Sequence, residues 1–142
     1  MYNSTETALI KAWDFIATGK VIHDQAVLHH IDGNGDRMGC LGGWALLIEA
    51  ELEDSNAITD YSDMENLVAR LGYEHGIGFT RFHEYFVKRT RLNFDCVKLL
   101  FDSNTPIETQ RTVLVSEYGE EYIREVNYDL YCPSVYMTYV DQ

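Results

Sequence analysis

Met38-Gly39-Cys40-Leu41-Gly42-Gly43-Trp44-Ala45-Leu46-Leu47 is the stretch on which the reading of the fold turns. A glycine-rich polar segment, Asp32 to Gly39, runs into it, and the apolar run continues to Ala50. Clusters of Gly, Asn and Asp mark turns. Trp44, Leu47 and Ile48 recur at helical spacing, so a buried helix is predicted over 40–50. Cys40 falls where that helix begins. Two readings follow: a thiol activated by a helix N-terminus, or a small buried hydrophobe beside glycines that let another segment approach closely.

Upstream, Asn3-Ser4-Thr5-Glu6 reads as a capping box. Leu9, Ala12, Trp13, Ile16 and Ala17 form an apolar stripe, and Gly19 supplies a stop. A helix is predicted over 4–18 and a shorter one over 21–31. Downstream, Ser62-Asp63-Met64-Glu65 opens a helix carrying Leu67, Val68 and Leu71 and ending at Gly72. Residues 73–80 read as an exposed loop, and 81–91 as a helix with Phe82, Tyr85 and Phe86. Asn93 caps a helix bearing Val97, Leu99, Leu100 and Phe101. Thr105-Pro106-Ile107-Glu108 places an N-cap before proline in the first helical turn. That helix runs to about Glu117, with a further one over 120–126. The expected fold is mainly α: an irregular single-domain bundle of about six helices spanning 1–142. It leaves room for a small β-hairpin, or for 127–142 as an extended C-terminal arm.

The chain has 142 residues, enough for one domain with its own core. Its net charge of −12 argues against direct DNA binding and against an anionic membrane surface, since both require cationic neutralisation. Seven carboxylates and no Lys or Arg lie between Glu49 and Glu65. Cys40, Cys96 and Cys132 are too far apart for a zinc ribbon or an evident disulfide framework. No charged segment precedes an apolar run, so no secretory leader is expected, and no stretch approaches the ~20 apolar residues of a membrane span. A cytoplasmic protein is the default expectation.

Few patterns point to chemistry. His23-Asp24-Gln25 offers a base, an orienting acid and an amide donor for a Cys40 nucleophile. Asp32-x-Asn34-x-Asp36 begins like a calcium loop, but Arg37 replaces the turning glycine and Gly43 the closing glutamate. The histidines, His23, His29, His30, His75 and His83, show no metal-ligand spacing. Phosphate-binding glycine motifs are missing too, so no metal and no cofactor is implied. Lys88, Arg89 and Arg91 are the one basic cluster, suited either to a phosphate backbone or to the chain's own acids.

Two resemblances attach to these residues. Cys40 to Trp44 resembles the Cys-plus-Trp entry helix of papain-like proteases, but the tryptophan lies four residues after the cysteine and the motif's first cysteine is absent. His23-Asp24-Gln25, Cys40-x-Gly42-Gly43-Trp44, and Leu100-Phe101 before Asn104-Thr105 together resemble a set of small bacterial and phage proteins without an assigned activity. That likeness covers about residues 20 to 115. Gly35-Asp36-Arg37 stands where many of those proteins carry Cys-Gly-Thr. It implies a phage or bacterial accessory protein.

The functional expectation is a non-enzymatic acidic interaction protein, an inhibitor or nucleic-acid mimic. It would bind a protein partner, one that itself binds nucleic acid, through Glu49, Glu51, Glu53 and Asp54 and through Tyr128, Tyr131, Tyr136 and Tyr139. The competing expectation is a hydrolase or acyl-transfer enzyme using Cys40, His23 and Gln25.

Overall fold

The apolar run becomes the helix on which the others pack. The computed structural model describes residues 2–31, 33–34, 36–53, 64–78 and 80–128. Helix α2 spans Leu41–Glu53 and is buried at every position from 41 to 50. A helix apolar all round has no solvent face to present, so neighbours must cover it on all sides.

Helix α1 (Ser4–Ala17) lies along α2. Its capping box forms as the sequence predicts: Asn3 Oδ1 accepts from the Glu6 N–H at 3.0 Å, and Glu6 reaches back to the Asn3 N–H. At the other end Gly19 takes φ +73°. There the Lys20 N–H donates to the Phe15 carbonyl and the Gly19 N–H to that of Ile16, which closes the C-terminus in a Schellman turn.

The segment predicted as a helix over 21–31 is instead extended. Strands β1 (Ile22–His23), β2 (His30–Ile31) and β3 (Arg37–Gly39) form a sheet of order β1-β3-β2. β1 pairs parallel to β3, with Ile22 opposite Met38, and β2 pairs antiparallel, with His30 opposite Met38. β2 and β3 thus form a small hairpin in place of the predicted helix. Asp24 is the physical reason. Its Oδ1 accepts from the Ala26 N–H at 3.0 Å and its carbonyl from the Val27 N–H at 3.3 Å. This local turn diverts the backbone donors a helix needs.

Helix α3 (Met64–Glu74) buries Leu67, Val68 and Leu71. Its predicted cap, Ser62-Asp63, lies outside the described residues. Gly72 does not end it, because the helix runs on to Glu74 and Gly76 (φ +74°) makes the turn. Gly72 serves close approach instead, since a Cβ there would stand 2.5 Å from the Gly78 carbonyl oxygen.

Helix α4 (Phe82–Arg89) and helix α5 (Phe94–Phe101) join through packed rings, Phe86 and Phe101 lying 4.8 Å apart between centroids and tilted by 59°. Asn93 caps α5, its Oδ1 accepting from the Cys96 N–H at 2.8 Å. Helix α6 (Ile107–Tyr118) starts one residue later than the sequence suggests. Pro106 occupies the cap, and Thr105 is buried without capping the helix. Helix α7 (Glu120–Tyr128) follows Gly119, so Asn127 and Tyr128 close a helix and the rest of the expected arm lies outside the described residues. The chain is thus mainly helical, with seven helices among the described residues. None of them is long and apolar enough to cross a membrane.

Candidate functional site

Cys40 stands between β3 and α2. Its N–H donates to the Val27 carbonyl at 2.8 Å, and its Sγ accepts from the Gly43 N–H at 3.4 Å. The thiol therefore occupies the N-cap of α2, satisfying a helix donor that has no partner of its own. It is 4% exposed. Burial pushes its pKa up, and the Gly43 and Gly42 amides offset that only in part. A nucleophilic thiolate needs the opposite shift.

His23 and Gln25 sit beside this corner, where Gln25 serves the backbone and His23 holds Gln25. His23 Nε2 donates to Gln25 Oε1 at 2.6 Å. The same oxygen accepts from the Leu41 N–H at 3.4 Å, while Gln25 Nε2 donates to the Leu100 and Asp102 carbonyls at 3.0 and 3.1 Å. Gln25 thus joins the start of α2 to the end of α5. Among the described residues no imidazole is hydrogen-bonded to Cys40. The structure brings the three predicted catalytic residues into one corner and commits each to a structural bond.

The glycines explain how that corner closes. A Cβ on Gly43 would stand 1.7 Å from the Leu28 carbonyl oxygen, and one on Gly42 would stand 2.2 Å from the Phe82 ring. Trp44 fills the space beyond, its Nε1 donating to the Ile22 carbonyl at 2.9 Å.

No protein-family model matches this chain, and no curated protein or solved structure matches it either.

Glu49 requires a correction. The sequence places it at the head of an exposed acidic surface, yet it is wholly buried. Its Oε2 accepts from Tyr85 Oη at 2.7 Å, Thr5 Oγ1 at 2.8 Å and His75 Nε2 at 3.1 Å. Arg89 Nε donates to the same Thr5 hydroxyl at 3.0 Å. A buried carboxylate is tolerated only when donors replace water, and α1, α4 and the residue after α3 supply them. Burial and the neighbouring Glu49 charge push the Tyr85 phenol pKa well up. Glu51 and Glu53 stand in the last turn of α2 with side chains outside the described set. Asp54, Tyr131, Tyr136 and Tyr139 are outside it entirely, and of Tyr128 only the backbone is described.

The basic cluster is mostly spent internally. Arg91 lies with its guanidinium 4.3 Å from the Tyr2 ring centroid, its Nε 3.8 Å from Glu6 and its Nη1 donating to the Glu117 carbonyl. Tyr118 Oη donates to that same Glu6 at 2.6 Å. Arg89 belongs to the Glu49 network, and Lys88 is exposed. No group of three His, Cys, Asp or Glu suited to a metal occurs among the described residues. Asp32 of the calcium-like run lies outside them.

The described acidic surface is elsewhere. Glu84, Asp95, Glu108, Glu121 and Glu125 are exposed and make no ion pair among the described residues. Glu120 is paired with Arg111 at 2.9 Å.

Proposed function

We propose that this protein is a non-enzymatic interaction protein that presents carboxylates to a cationic surface on a protein partner. The observation that carries the reading is the division of labour among its charged groups. Glu84, Asp95, Glu108, Glu121 and Glu125 face solvent without counter-ions among the described residues, whereas Arg89, Arg91 and Arg111 are engaged within the chain. These five carboxylates are thus offered outward, although Lys20, Arg81, Lys88, Lys98 and Arg124 are also exposed. Such a surface competes for a protein groove that normally receives a phosphate backbone, and it raises association rates through long-range attraction. Burial of Cys40 and commitment of His23 to Gln25 support this reading over a thiol hydrolase. The partner is a nucleic-acid-binding protein met in the cytoplasm, and a phage-encoded inhibitor is the form the sequence resemblance suggests.

The test is capture of partners on the immobilised full chain at rising salt, with duplex DNA as competitor. Captured proteins should elute as ionic strength shortens the screening length, and DNA should displace them. The paired substitutions Glu121→Lys and Glu125→Lys should weaken capture. Binding indifferent to both salt and DNA overturns the reading.

A further inference from the structure

A groove of about 400 Å³ opens where the last turn of α1 meets α6 and α7. That volume falls within the range of small-molecule sites, about 300–1,000 Å³. Trp13 forms one wall, and its ring is fixed because Nε1 donates to the Ile107 carbonyl at 3.2 Å. Ile123 faces the same space from α7.

The polar lining carries charges of both signs. Arg111 is neutralised by Glu120 at the rim. Asp14 and Arg124 also line the groove, yet among the described residues neither side chain has an ion pair or a hydrogen bond. Lys20 and Lys11 act on Asp14 only from a distance, and its carboxyl is pushed upward chiefly by burial. Asn127 adds a third open valence: its buried Oδ1 accepts no hydrogen bond from the described residues. Buried acceptors without donors are rare and costly, so a site holding one points to a donor supplied from outside.

We propose that this groove binds a free α-amino acid with an apolar side chain, held as its zwitterion. The ammonium group donates to the Asp14 carboxylate and to Asn127 Oδ1. The carboxylate takes the Arg124 guanidinium, whose planar fork suits it. The side chain lies against Trp13 and Ile123. Both acceptors are then matched by ammonium donors, and the one uncommitted cation by the anionic end. None of the five unpaired carboxylates lines the groove, so the proposal does not rest on that reading.

The probe is L-phenylalanine, titrated calorimetrically into the full chain and followed by amide shifts at Trp13 and Ile123. N-acetyl-L-phenylalanine removes the ammonium charge, and L-phenylalaninamide removes the carboxylate. Each should bind at least about tenfold more weakly than the parent. Asp14→Asn and Arg124→Gln, both at positions outside the core, should each cost a similar factor while leaving the melting temperature within a degree or two. The ligand series needs no variant, so it decides the matter even if a substitution disturbs folding. No binding at about 10 mM, or equal binding of the zwitterion and its two singly charged analogues, overturns the proposal.

Discussion

The two ends of α2 carry polar side chains for opposite reasons. At its start, Cys40 and Gln25 meet backbone groups the helix leaves unpaired. Near its end, Glu49 is itself the group that needs satisfying, and Tyr85, Thr5 and His75 converge on it from other elements. In the first corner the two bonds that meet the helix start span only 3 and 16 positions, although Gln25 also reaches across to the Leu100 and Asp102 carbonyls. The second is long-range: its bonds link residues 26 to 44 positions apart. A side chain that answers the backbone can be exchanged at modest cost. A buried charge cannot, because its partners exist only for it.

That contrast is broken hardest at Gly43. A methyl there would overlap the Leu28 carbonyl oxygen at 1.7 Å, and backbone atoms cannot swing aside as a flexible side chain can. Gly43→Ala should cost about 4 kcal/mol or prevent folding, read from urea denaturation. Gly33→Ala, which meets nothing within 4 Å, is the control and should move stability by no more than about 0.5 kcal/mol. A well-folded Gly43→Ala protein would show that the corner is looser than these contacts require.

The Glu49 end gives the next largest effect. Tyr85→Phe removes one hydrogen bond to a buried carboxylate and should cost about 2 kcal/mol. Thr5→Val removes a second donor. If the network acts as a unit, a double-mutant cycle on the two should give a coupling of about 1 kcal/mol. Strict additivity would mean that the two donors serve Glu49 independently.

How much of this was legible depends on the distance over which each signal acts. The Asn3–Glu6 capping box, the Gly19 stop and the Asn93 cap are written within a few residues, and all three form. The strands near Ile22 and His30 are not legible in the sequence because the apolar residues there suit a short helix, while the Asp24 turn that prevents it rests on one side chain. Cys40 before Gly42-Gly43 fits a reactive thiol and a packed corner equally well until Leu28 is seen against Gly43. Glu49 did carry a readable signal. It follows Leu46-Leu47-Ile48, and one turn back stand Ala45 and Leu46, so its helix face is apolar. A carboxylate on such a face belongs to the core, not to the acidic run that follows.

Cys40 itself should be a smaller lever. Cys40→Ala loses a cap and a little volume, about 1 kcal/mol in total. In a chain with Cys96 and Cys132 both replaced by alanine, iodoacetamide at pH 8 should leave Cys40 untouched until urea unfolds the protein. Rapid labelling of the native form would restore the reactive-thiol reading and weaken the case against a hydrolase.

The gentlest probe uses acid against the same corner. His29 lies just before β2 and its Nε2 is 3.4 Å from Arg37 Nη1, so the neutral ring accepts from a fixed cation. Burial first, then Arg37 and His30, lower its pKa from 6.5 to about 4. The unfolded chain therefore takes up this proton near pH 6.5, while the folded chain refuses it until about pH 4. Below that window both states are protonated, and above it neither is. The corner's contribution is thus complete above pH 6.5 and drains away as pH falls toward 4. Other groups titrate in the same range, so the readout is the difference between wild type and His29→Gln. The variant's melting temperature should fall less steeply across that interval. Parallel curves would place the acid sensitivity outside the corner and leave Glu49, whose partners include His75, as the region to test next.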